Sequence, residues 1–157
     1  MGEGVIGTLT TAADLRDKLR RDFERLKSKP LSSDAAFNFF VTAEHMLDWV
    51  YPKRINKEKR TNARKKSVVL QVCSHLANGA KHFELEGRHH NSVSSTGAGV
   101  GWSREGFFAP DYFADGYFEE RLVVSLKGDA AKELGQSIGA IELAEKVIAY
   151  WDKHPLA

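Results

Sequence analysis

Apolar side chains return every three or four residues along the first third of the chain. In "TAADLRDKLRRDFERLKSK", Leu15, Leu19, Phe23 and Leu26 fall on one face with charge elsewhere, which predicts an amphipathic helix from about Thr11 that Pro30 ends. "LSSDAAFNFFVTAEHMLDWVYP" predicts a second helix, opened by Ser32 or Ser33 as N-cap with Asp34 in its first turn, and stopped at Pro52. Its apolar residues cover well over half the circumference, so it should have neighbours on two sides. A third helix is expected from about Asn62, with Val69, Val72, Cys73, Leu76, Ala80 and Phe83 as its core stripe and Gly87 as terminator.

The pattern then changes for some forty residues, which are rich in Gly, Ser and aromatics. "ERLVVSLKG" alternates as a strand, and "NSVSSTGAGVGW" is expected to pair with it as a small antiparallel sheet. The glycines of "TGAGVGW" lack the GKS/T ending of a phosphate loop, so they predict a bulge or tight turn instead. A fourth helix follows from about Ser137 to Lys153, with Ile141, Ala144, Ile148 and Trp151 on one face and Pro155 just beyond. The expected fold is mainly α (α+β), a four-helix-bundle-like domain with a small antiparallel β insertion between the third and fourth helices. It forms one domain over residues 1–157, with a flexible 1–10 and the β-containing insertion at 88–128. A strand pair of this size is too small to stand alone.

Composition adds little to this. At 157 residues with 42% apolar content the chain can bury a real core. No window reaches the ~18 consecutive apolar residues of a membrane span, and the first ten residues lack the pattern of a signal peptide. The expectation is a cytoplasmic protein without membrane contact. The single cysteine, Cys73, has neither a disulfide nor a CxxC partner and reads as a small buried apolar side chain.

Charge is where the sequence points to function. Net charge is only +2, but "KRINKEKRTNARKK", residues 53–66, carries eight basic residues against one Glu, which is +7 and leaves −5 for the rest. Lys53, Arg54, Lys57, Lys59, Arg60, Arg64, Lys65 and Lys66 are therefore candidate phosphate contacts, with Lys81 further on. The run has no aromatic residue on which single-stranded bases could stack.

A second candidate lies in "VCSHLANGAKHFELEG", where His75, Asn78 and His82 form a polar stripe away from the expected core stripe. "LANGAKHFE" resembles the motif region of the HEPN superfamily, small helical bundles whose signature is an Arg, commonly followed by Asn, with a His four to six residues after the Arg. Asn78 and His82 match the Asn and the His; the Arg position is Ala77. The resemblance covers about six residues and the bundle architecture. It implies a homodimer with facing motif stripes and metal-independent cleavage of RNA in which His82 and Asn78 would be the catalytic positions. Ala77 removes the group that would hold the phosphate bidentately, and Lys81 is a point charge on another face.

No cofactor or metal is expected. Glu44, His45 and Asp48 on the second helix could join His75 and His82 in a mixed site, but they lie at different angles and no ExxH spacing occurs. Glu44 and Asp48 read instead as a buried hydrogen-bonded pair or as partners of an arginine on the first helix. His89 and His90, beside Arg88, read as solvated. The leading expectation is a degenerate HEPN-like protein that binds RNA or nucleotide phosphate. The alternative is a protein-interaction or regulatory module that uses the aromatics of "EGFFAPDYFADGYFEE" and has another protein as its partner.

Overall fold

A computed structural model describes residues 6–81, 93–99 and 121–156. Helix α1 (Ala12–Ser28) begins at a capping box: the Asp14 amide donates to Thr11 Oγ1 at 3.1 Å, and the Thr11 amide donates back to Asp14 Oδ2 at 2.8 Å. These contacts hold the Asp14 carboxyl below its ordinary value, the Thr11 side chain contributing most. Before the cap, Ile6 and Leu9 form a single antiparallel bridge, so the described part of the N-terminal stretch is a tight turn.

Helix α2 (Ser33–Val50) is capped by Ser32, whose hydroxyl accepts from the Ala35 amide at 3.1 Å. A 3₁₀ turn (Arg54–Asn56) leads into α3 (Lys57–Lys66), and α4 spans Val68–Lys81. The sequence predicts a loop and then one helix from about Asn62, whereas two helices meet here at Ser67. Its extended backbone (φ −133°, ψ 112°) breaks the helix, and its hydroxyl accepts from the Leu70 amide at 3.3 Å to restart it.

Strands β1 (Val93–Gly99), β2 (Arg121–Leu126) and β3 (Ser137–Gly139) make one antiparallel sheet in that order. The β1–β2 pairing is the expected one, though its irregularity lies between Val93 and Ser95, ahead of the glycines. The third strand and α5 (Gly128–Leu134) are additions to the expected architecture. Gly135, at φ +92°, ends α5, and Ser137–Gly139 is drawn into the sheet against Val123–Ser125. Helix α6 (Ala140–Lys153) consequently starts three residues later than its periodicity predicts.

The protein is mainly α with a small antiparallel sheet, and α1, α2, α4 and α6 pack around one core. Helix α2 lies between α1 and α4, as its wide apolar arc requires. Phe39, Met46, Leu19, Leu26, Leu70, Leu143 and Trp151 are fully buried, and Cys73 sits among them. Two faces are rotated from expectation. On α4, Leu70, Val72, Cys73 and His75 are buried while Val69 and Leu76 are half-buried; Ala80 and Phe83 fall where no side chain is described. On α6 the buried face is Ala140, Leu143, Ala144, Val147 and Trp151, with Ile141 and Ile148 at its margin. Both helices touch α2, each other and the β-containing segment, and that second contact turns their buried arcs.

Candidate nucleic-acid interface

The basic run is a built element. Glu44 and Asp48 are one turn apart on α2, Arg60 and Arg64 one turn apart on α3, and the two helices lock as a two-rung ladder. In one rung Arg64 Nη2 donates to Glu44 Oε1. In the other, Arg60 Nε lies 3.3 Å from Asp48 Oδ1. Arg60 Nη1 also donates to the Tyr51 carbonyl oxygen and, at 3.1 Å, to that of Lys53, so a cation closes the C-terminal end of α2. The arginine partners of Glu44 and Asp48 thus come from α3, where the sequence suggests α1. Both arginines are held inward; their side chains are 16% and 28% exposed.

With Arg60 and Arg64 turned in, the remaining cations turn out. Lys53, Arg54, Lys57, Lys59, Lys65 and Lys66 are all exposed, and none pairs with a carboxylate among the described residues. Glu58 is the one acidic residue in the run. Helix α3 has no fully buried side chain; half-buried Ala63 packs against the core, and the rest of its hold comes from the ladder and from the junction at Ser67, where the Gln71 side-chain amide also donates to the Arg64 carbonyl oxygen at 2.9 Å.

Behind α3 the polar groups continue inward. Glu44 accepts from Arg64 and from the Ser74 side chain, and the Asn78 amide donates to the Ser74 carbonyl oxygen at 2.7 Å and lies 3.4 Å from Ser74 Oγ. A chain Arg64–Glu44–Ser74–Asn78 therefore links α3, α2 and α4. Burial raises the Glu44 carboxyl above its ordinary value; Arg64 and Ser74 pull it down and Asp48 pushes it up. Burial, with the Glu44 charge behind it, pushes the Cys73 thiol far up, which makes it inert as a nucleophile.

The stripe read from "VCSHLANGAKHFELEG" divides. His75 is buried and does not face an open surface. Asn78 is half-buried and turned to its own helix, Lys81 is the last residue of α4, and His82 lies outside the described residues, as do His89, His90 and the aromatic segment 105–120. Among the described residues no three His, Cys, Asp or Glu side chains converge on a point that could hold a metal ion. No described helix is long and apolar enough to cross a membrane.

Sequence reasoning passed over Asp22. It is 2% exposed and sits between α1 and α2, with Lys18 Nζ and the Thr42 hydroxyl (2.8 Å) at Oδ2 and Arg25 Nη1 at Oδ1 (2.8 Å). The spacing Leu15, Leu19, Asp22, Leu26 places the carboxylate in the buried stripe itself. That spacing was available as a signal.

No family model, curated protein or solved structure matches the chain.

One backbone position bears on the interface. Lys53 has φ +70° and ψ 154°, a region that favours glycine. Lys53→Gly is expected to raise stability by about 0.5–1 kcal/mol, since relief of strain exceeds the added freedom of the unfolded chain. Lys53→Ala should leave stability unchanged, and urea midpoints of the two variants separate the cases. A glycine variant less stable than wild type would show that no strain is held there.

Proposed function

We propose that the protein binds RNA through phosphate contacts from Lys53, Arg54, Lys57, Lys59, Lys65 and Lys66. The observation that carries this reading is the division of labour within residues 53–66: two arginines pin α3 to α2, and six cations face water without a described acidic partner. The ladder sets the backbone that carries these cations, so no helix has to be ordered when they meet phosphate, and the counterions they displace supply a sequence-independent affinity. The HEPN-like likeness agrees with an RNA ligand, and the reading stops at binding: position 77 is alanine and the Asn78 amide is engaged with Ser74.

A titration of single-stranded RNA across a salt series tests it. If all six cations engage, log K should fall against log salt with a slope of about −4, and each Lys→Gln change among Lys57, Lys59, Lys65 and Lys66 should flatten it by about 0.7. Arg60 and Arg64 are unsuitable for that series, because their loss would undock α3. Absence of salt-dependent binding at low ionic strength would end the proposal.

A further inference from the structure

One apolar residue stands in the middle of the cationic run. Ile55 is 87% exposed, more than any other large hydrophobic side chain among the described residues. It is not on a loose loop. The 3₁₀ turn that carries it is fixed by the Asn56 amide donating to the Pro52 carbonyl oxygen at 2.5 Å, by the Asn56 backbone N–H donating to that of Lys53 at 3.2 Å, and by the Arg60 grip on Tyr51 and Lys53. The left-handed Lys53 starts this turn. Strain and a polar clamp thus hold an isoleucine out in water, with Lys53, Arg54, Lys57 and Lys59 around it.

Such a tip fits a ligand that offers negative charge and an apolar face close together. Duplex RNA offers charge but keeps its base faces stacked, whereas unpaired nucleotides expose base faces beside their phosphates. An aliphatic side chain cannot stack as an aromatic ring does, but it can cover an exposed base face and exclude water from it. A linear polyanion also accounts for the far end of the run: Lys65 and Lys66 lie ten residues or more from Ile55, about 15 Å along a helix, where a bilayer touched by the tip would be screened from them. We infer that Ile55 is a base-contacting residue that directs this surface to unpaired RNA over duplex RNA. The inference rests on the RNA-binding reading above.

The test uses the full chain, an RNA hairpin with a large open loop, a blunt RNA duplex with the same number of phosphates, and vesicles of phosphatidylcholine with phosphatidylserine. Wild type should prefer the hairpin by about tenfold. Ile55→Ala should bring the two RNAs to parity with the salt slope unchanged, and Leu31→Ala, at another exposed apolar residue, should leave the preference intact. Exposure of Ile55 means that the variant folds as wild type does. Salt-dependent RNA binding whose preference is absent, or survives in Ile55→Ala, overturns this inference and leaves the phosphate reading standing. Failure of both RNAs to bind overturns the two together. Vesicle binding that Ile55→Ala abolishes while the hairpin preference survives would assign the tip to lipid and overturn the inference as well.

Discussion

Asp22→Ala is expected to lower the unfolding free energy by about 2–3 kcal/mol, read as a shift of the urea midpoint with an unchanged slope. The carboxylate is buried between α1 and α2 and gathers three donors, Lys18, Arg25 and the Thr42 hydroxyl. Loss of a buried partner in an ion pair commonly costs ~3–5 kcal/mol. The value here is lower because Lys18 and Arg25, 32% and 66% exposed, can turn their charges back to water. Thr42 cannot. Its single proton, shared between Asp22 Oδ2 and the Asn38 carbonyl oxygen at 2.8 Å each, would pass wholly to the latter, and Lys18 would keep only its 2.7 Å contact to Thr42. Asp22→Asn preserves the volume and one acceptor, so about half the loss is expected. A fully stable Asp22→Ala protein would mean that α1 and α2 are held by their apolar faces alone.

The elements that the sequence made legible are those whose signals are local. Ser32 caps, Pro30 and Pro52 stop, and the alternation in "ERLVVSLKG" extends; each acts within a few residues and each appears in the structure as expected. Elements set by distant partners were not legible. Ser137–Gly139 carries an apolar pattern that a helix would accept, and only its pairing with β2 makes it a strand. His75 looks like part of a polar stripe when α4 is viewed alone, yet the packing of α4 against α2, α5 and α6 buries it.

The basic run shows the same limit at the level of function. Its summed charge was readable at once, but charge alone does not tell which cations face outward. The pairing of Glu44 and Asp48 with Arg64 and Arg60 depends on α3 running back along α2, which is a tertiary fact. Matched i, i+4 spacings on the two segments were the available clue. Once the ladder is recognised, eight candidate phosphate contacts in residues 53–66 become six, and the other two become the reason that the six are held in place.

Arg64→Ala is expected to destabilise the protein by about 2 kcal/mol at pH 8 and by much less at pH 4, a difference that isolates the charge on Glu44 from the packing of the arginine stem. Burial already holds the Glu44 carboxyl above its ordinary 4.5 even with Arg64 beside it. A carboxyl raised by folding favours the native state when protonated: its contribution is fully present below the unfolded value and is lost as pH rises through the folded one. Without Arg64 the folded value climbs further, so the cost of the ionised group extends over a wider window and is complete at pH 8. In the double variant Arg64→Ala/Glu44→Gln there is no charge left to bury, and most of the loss at pH 8 should be recovered. Glu44→Gln alone should be close to neutral, since in wild type the pair does not fully offset the burial of its own carboxylate. Urea unfolding of the four proteins at both pH values closes the cycle. Equal destabilisation by Arg64→Ala at pH 4 and pH 8 would show that the arginine acts through its apolar stem, and that α3, with its outward lysines, is docked by packing and not by the ladder.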